Sequence, residues 1–170
     1  MKDVHKRLLF EMLNNSRRSD RELAKALSIS QPTVTRARRW LEMNNFILEY
    51  TLIPDFSKMG FELVVFTFFK VLANVPGGER EQIVKKMIES LDRHPNVVTV
   101  LRGEGMGCDG IFVSYHASFS DFAKFVRDLR MEATGIEIVG SFLTSPEGKD
   151  RSRPLTFKHL KEYIEKIVEE

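Results

Sequence analysis

Residues 19–43 read SDRELAKALSISQPTVTRARRWLEM, and their local chemistry predicts two short helices with a tight turn between them. Ser19-Asp20-Arg21-Glu22 is a capping box: the Ser19 hydroxyl accepts from the Glu22 amide, and the Glu22 carboxylate reaches back to the Ser19 amide. Leu23, Ala24 and Leu27 then form a compact apolar face on a helix of about two turns. Ser28-Ile29-Ser30 is a short break in which Ser30 is placed as the N-cap of the next helix. Pro32 falls in that helix's first turn, where its missing N–H is harmless. The helix is expected to run to Asn44 or Asn45. Two helices joined by three or four residues, the second basic and rich in polar side chains, form a helix-turn-helix pattern.

Working outward, Val4, Leu8, Leu9, Met12 and Leu13 recur at helical spacing and predict a preceding helix closed by Asn14-Asn15-Ser16. Residues 46–53 are strand-like and suit a wing, and residues 54–60 are a turn-rich linker. Beyond Gly60 the pattern changes. A β-branched and aromatic strand spans residues 61–73, and Pro76-Gly77-Gly78 breaks the chain. Ile83, Val84, Met87, Ile88 and Leu91 mark an amphipathic helix ending near His94-Pro95. Strands are expected at 97–101, 111–115 and 136–143, with a glycine-rich turn at 103–110 and a helix opened by Ser120-Asp121. The order β-α-β-β-α-β predicts an α+β, ferredoxin-like sheet with both helices on one face. Its first strand is apolar on both parities (Leu63, Val64, Val65, Phe66), so the other face needs a cover, and a second copy of the sheet supplies it. Residues 145–154 form a polar loop, and Thr156 caps a last helix carrying Phe157, Leu160, Ile164 and Ile167 on one stripe. The expected domains are therefore a winged helix-turn-helix over 1–53, the linker 54–60, a ferredoxin-like domain over 61–145, and a loop and C-terminal helix over 146–170.

Composition narrows the function classes. The 170 residues are 42% hydrophobic and 29% charged, which excludes a disordered or collagen-like chain. The longest apolar stretch, residues 63–73, is interrupted by Thr67 and Lys70 and falls short of the ~20 residues of a membrane helix. The first fifteen residues, MKDVHKRLLFEMLNN, do not read as a signal peptide, and a cytoplasmic protein is expected. A single cysteine, Cys108, gives neither a disulfide nor a CxxC zinc site. The net charge of +2 hides an asymmetry: residues 1–50 carry ten Lys/Arg against six Asp/Glu, and the remaining residues sixteen against eighteen. A basic head on a slightly acidic body points to a polyanionic partner for the head.

The candidate nucleic-acid residues are Ser30, Gln31, Thr33, Thr35, Arg36, Arg38 and Arg39. With Val34, Ala37 and Leu41 turned inward, Thr35, Arg36 and Arg39 lie opposite, and Gln31 and Thr33 flank the N-terminal turn. Arg pairs bidentately with guanine or phosphate and Gln with adenine, and the N-terminal turns of such a helix make most base contacts. Gly105-Met106-Gly107-Cys108-Asp109-Gly110 matches GxGxxG, but a dinucleotide fingerprint must open a helix and here it opens strand-like residues. It reads instead as a β-hairpin turn, or as a loop whose amides hold a small anion. The four histidines are scattered, no Ser-His-Asp grouping stands out, and no catalytic, metal or cofactor site is expected.

The run Leu8-Leu9, Asn15-Ser16-Arg17, Glu22-Leu23-Ala24, Ser30, Val34, Arg36, Leu41, Ile47, Tyr50-Thr51 and Gly60 resembles the Lrp/AsnC (feast/famine) family of transcription regulators, over residues 1 to about 145. The body is similar to that family's amino-acid-sensing RAM domain. The resemblance implies a DNA-binding regulator that dimerises through its sheets, often assembles into tetramers or octamers, and commonly binds an amino acid or related metabolite near the loop between the second and third strands, at subunit contacts. On this chain that loop offers Gly105, Met106, Gly107 and Asp109. The chain departs from the family pattern in four places. His5 stands where the family has Asp, Arg38 where an aliphatic residue packs inward, the loop glycines are displaced by one, and the last helix is additional. The expected function is a sequence-specific, homodimeric or larger DNA-binding regulator of a roughly palindromic operator, modulated by an amino acid or related small effector. The alternatives are a small-molecule module or enzyme with a vestigial head, and an architectural DNA-binding protein.

Overall fold

The computed structural model describes residues 1–147, 156–161 and 163–164. The chain divides into two units, Met1–Pro54 with Pro154–Glu170, and Asp55–Arg153.

The first unit includes the helices α1 (Asp3–Asn14), α2 (Asp20–Leu27) and α3 (Gln31–Met43), and residues 160–161 and 163–164 are helical too. The Ser19–Glu22 capping box closes reciprocally, and Ser30 caps α3 by accepting from the Thr33 amide at 3.3 Å. Ser28 ends α2 in the left-handed region (φ 55°), which turns the chain within three residues. Leu8, Met12, Leu23, Ala24, Leu27, Val34, Ala37 and Leu41 form one core. Each larger aliphatic there contributes about 1.5–3 kcal/mol of burial. The inward stripe of α1 is offset from the expected one: His5, not Val4, is buried, stacked on Trp40 with ring centroids 4.0 Å apart. Trp40 also stacks on Phe46 at 5.3 Å.

The expected strand over residues 46–53 does not form. The Phe46 and Ile47 amides both turn back to the Leu41 carbonyl, and the following residues belong to no ladder among those described. An extended segment becomes a strand only against a partner edge, and three helices present none. Leu48 (87% exposed) and Leu52 are consequently left in solvent. From the C-terminal region, the Thr156 hydroxyl accepts from the Lys158 amide at 3.2 Å, and Lys161 pairs with Glu11 of α1 at 3.6 Å. Of the expected stripe, Phe157 and Leu160 are exposed. Ile167 and residues 148–155 lie outside the described residues.

The second unit is β1 (Leu63–Val71), α4 (Gly77–Leu91), β2 (Val97–Gly105), β3 (Cys108–His116), α5 (Phe119–Glu132) and β4 (Ile136–Thr144). The sheet order is β2-β3-β1-β4, all pairs antiparallel, which is the ferredoxin-like arrangement. Ser118, two residues earlier than expected, caps α5 through the Asp121 amide. α4 starts at Gly77, inside the stretch read as a break, because Pro76 pre-sets the turn that precedes it. Val65, Phe69, Phe112, Met87, Leu91, Phe122, Phe125 and Leu129 make the core between sheet and helices. On the opposite face β1 presents Val64, Phe66 and Phe68, and β3 presents Ile111, Val113 and Tyr115, all partly exposed. The connector at 55–61 folds onto one end of that face, with Phe56 against Tyr115 at 4.1 Å.

Gly110 shows why β3 needs a residue without Cβ. A Cβ there would run into the Phe69 ring and lie 2.7 Å from the Leu101 carbonyl oxygen, and backbone cannot swing aside. Gly110→Ala is expected to cost about 1–3 kcal/mol by overpacking. The control Gly103→Ala, with nothing within 4 Å, should leave the thermal midpoint unchanged.

Three polar residues that the sequence reading left unconnected meet inside this unit. His116, fully buried, contacts the Ser114 hydroxyl with Nε2 at 2.9 Å and Asp121 with Nδ1 at 3.2 Å. Ser114 is itself fully buried, so this trio fastens the start of α5 to the sheet and presents no nucleophile to solvent. Burial pushes the His116 pKa below its ordinary value, with Asp121 only partly opposing. The unfolded chain therefore binds a proton that the native state refuses, and stability rises with pH. This contribution is complete above about pH 6.5 and shrinks as pH falls below it. Thermal midpoints from pH 7.5 to 5 should fall more steeply in the wild type than in His116→Asn.

Candidate nucleic-acid interface

α3 is positioned by its inward stripe: Val34, Ala37 and Leu41 are locked into the core, which fixes the opposite face outward. On that face Gln31, Thr35, Arg36 and Arg39 are exposed. Arg36 and Arg39 have neither an ion pair nor a hydrogen bond among the described residues, so both guanidinium groups are available to an external anion. Ser30 and Thr33 are engaged at the helix start, their hydroxyls 2.7 Å apart.

Arg38 sits differently. Its Nε and one terminal nitrogen each lie 2.8 Å from Oδ1 of Asp20, and its side chain is 19% exposed. The same nitrogen donates to the Arg18 carbonyl, and the other donates to the Tyr50 hydroxyl, each at 3.4 Å. Oδ2 of Asp20 accepts the Thr35 hydroxyl at 2.6 Å. Tyr50 in turn donates to Glu42 at 2.8 Å. Burial raises the Asp20 pKa, but the Thr35 and Arg38 donors outweigh it and hold the carboxyl below its usual range. Thus Arg38, grouped with Arg36 and Arg39 by sequence, is withdrawn from their surface, and Thr35 spends its donor within the head.

Sequence reasoning gave little weight to α2. Arg21 and Lys25 lie four residues apart on its exposed face without ion pairs among the described residues, and Arg17 is exposed just before it. The available signal was the i,i+4 spacing of two cations on the polar side of a capped helix.

The glycine-rich stretch is a two-residue hairpin. Gly105 pairs with Cys108, and Met106 and Gly107 both take positive φ (54° and 70°), the geometry of a tight hairpin turn. The four effector candidates do not converge. Asp109 accepts from the Val71 amide at 2.6 Å and from Arg80 at 3.2 Å. It borders an open depression of about 630 Å³ that also contains Arg102, Glu81 and Glu104. Gly105 and Met106 border a second depression of about 200 Å³ with Phe68 and Leu101, and Gly107 lines neither.

Residues 1–47 match the family described as winged helix-turn-helix DNA-binding. Over 101 residues the chain is 33% identical to the HTH-type transcriptional regulator LrpC of Bacillus subtilis, covering 59% of this chain and 65% of that protein. The fold is similar to that of the transcriptional regulator NMB0573 of Neisseria meningitidis in complex with L-Met (TM-score 0.75, 16% identity, 94% of this chain and 99% of that one). It is similar also to AsnC of E. coli (TM-score 0.73, 13% identity, 93% and 98%). A capped helix-turn-helix followed by a ferredoxin-like sheet, with these likenesses beside it, identifies what the chain does: it is similar to the Lrp/AsnC regulators and is a DNA-binding transcription regulator.

Proposed function

We propose that this regulator is a cytoplasmic, non-enzymatic homodimer that binds a specific, roughly palindromic operator and is modulated by an amino acid. The observation that carries the reading is the pair of exposed guanidinium groups of Arg36 and Arg39 on the outer face of α3, without ion pairs or hydrogen bonds among the described residues. That helix enters the major groove, with Arg36 and Arg39 on base edges or phosphate and Gln31 beside them. Ser30 and Thr33 add donors at the helix N-terminus, where a phosphate is favoured. Arg21 and Lys25 of α2 hold the neighbouring backbone. One such head binds weakly. Two heads on one duplex, with half-sites about one helical turn (~34 Å) apart, supply the affinity.

Dimerisation is supported by the open sheet face, where Phe66 and Phe142 lie 6.4 Å apart and Phe142 is 64% exposed. Tetramers and octamers are further assemblies of that dimer. The effector reading rests on the mixed charges at Asp109, Arg80 and Arg102, which suit a zwitterion, and on the L-Met complex of the similar Neisseria regulator.

Retention on random DNA that weakens as salt rises tests the DNA reading, and no retention at low salt would end it. Comparing selected with random duplexes at one salt concentration separates a specific regulator from an architectural protein. Amino acids are expected to raise the thermal midpoint in a binding screen. A flat screen leaves the body as a dimerisation platform alone.

A further inference from the structure

Arg38 is the arginine of α3 whose three nitrogens each have a partner within the head. Nε and one terminal nitrogen serve Asp20, that nitrogen also serves the Arg18 carbonyl, and the other reaches Tyr50. A guanidinium recognises phosphate or guanine by presenting two parallel N–H groups. Arg38 can do so only by leaving a carboxylate whose side chain is 21% exposed. Removing one partner from a half-buried ion pair leaves the other charge uncompensated. Thr35 and Arg38 are three residues apart and converge on the two oxygens of one carboxylate. Asp20 is the first residue of α2, so the linkage ties the start of that helix to the middle of α3 and to the segment at Tyr50. An apolar contact tolerates rotation of α3 about its axis, whereas a carboxylate gripping two donors 3 residues apart does not, because hydrogen bonds are directional.

Resting on the DNA-binding reading above, we propose that Asp20 is a positioning residue for DNA recognition: it holds Arg38 and Thr35 against α2, so that Arg38 sets the rotation of α3 and adds no phosphate contact. The linkage has two consequences. It aims Arg36 and Arg39 together, and it keeps one cation of the head out of sequence-independent binding.

The test is the dependence of binding on salt, measured on a random-sequence duplex and on a duplex selected from a random pool by the wild type. Each phosphate contact contributes about 0.9 to the slope of log affinity against log salt. Arg38→Met is expected to leave the slope on random DNA unchanged. Asp20→Asn frees the guanidinium and should steepen it by about 0.9 per head, and Asp20→Glu should return it to the wild-type value. On the selected duplex both Arg38→Met and Asp20→Asn should lose roughly tenfold of the preference over random DNA, a loss within the range of one mismatched base pair. Flattening by Arg38→Met together with no effect of Asp20→Asn would make Arg38 an ordinary phosphate contact and overturn the proposal. If Asp20→Asn melts below the assay temperature, Arg38→Met decides alone, since it retains the Thr35–Asp20 bond. A wild type that shows no salt-dependent binding removes the DNA reading itself, whereas a binding wild type with unresponsive variants removes only the linkage.

Discussion

A protein carrying Arg36→Ala and Arg39→Ala is expected to bind DNA at least about a hundredfold more weakly than the wild type at matched salt. An arginine reading a base contributes ~1–3 kcal/mol, and a twofold assembly carries it twice, so Arg36 accounts for roughly 2–6 kcal/mol. If Arg39 holds a phosphate, its removal should flatten the salt slope by about 0.9 per head. The two effects are separable: Arg36→Ala alone relaxes preference at one position of each half-site, and Arg39→Ala alone weakens all sequences alike. Neither side chain has an ion pair or hydrogen bond among the described residues, so the thermal midpoint should hold, in line with exposed substitutions that fall within about ±0.5 kcal/mol. Binding is measured by fluorescence anisotropy on the selected duplex over a salt series. Unchanged affinity in the double variant would remove the outer face of α3 from the interface.

The second large effect is expected from Phe142→Asp. Phe142 stands on the open face of β4, beside Phe66 of β1 and 64% exposed in the single chain. A carboxylate costs the single chain little at that exposure, but in a dry sheet-to-sheet contact it has to be stripped of water without a partner. The solution mass should fall to that of one chain while the circular dichroism spectrum is kept. With the two heads no longer tethered, affinity for a two-half-site duplex should drop by about 10²–10⁴-fold. Affinity for a single half-site should stay as it was. A dimer that survives Phe142→Asp would place the twofold contact elsewhere and leave the apolar face of β1 and β3 to another partner.

Much of the head was legible because its instructions are local. The Ser19–Glu22 box, the Ser30 cap and Pro32 act over three or four residues, and each forms as read. The β-α-β-β-α-β order was equally legible from the switch between alternating and helical periodicity. Strand ends were less so: β2 and β3 extend to Gly105 and Cys108, shrinking the expected turn of residues 103–110 to Met106 and Gly107. Glycine marks a turn without saying how many residues it needs.

Sequence by itself determined the starts and apolar stripes of α2 and α3, the element order and the surplus of cations in the first fifty residues, since these depend on neighbours along the chain. Tertiary structure decided which cations are free, because a partner is chosen by distance in space. Arg36, Arg38 and Arg39 are the same residue type within four positions, and the approach of Asp20, eighteen residues before Arg38, with the Arg18 carbonyl and Tyr50, engages Arg38 alone of the three among the described residues. It likewise brought Ser114, His116 and Asp121 together, split Asp109 from Gly105 and Met106, and left residues 46–53 outside any ladder among the described residues. Each of these outcomes turns on packing between elements, and no window of a few residues contains both sides of such a contact.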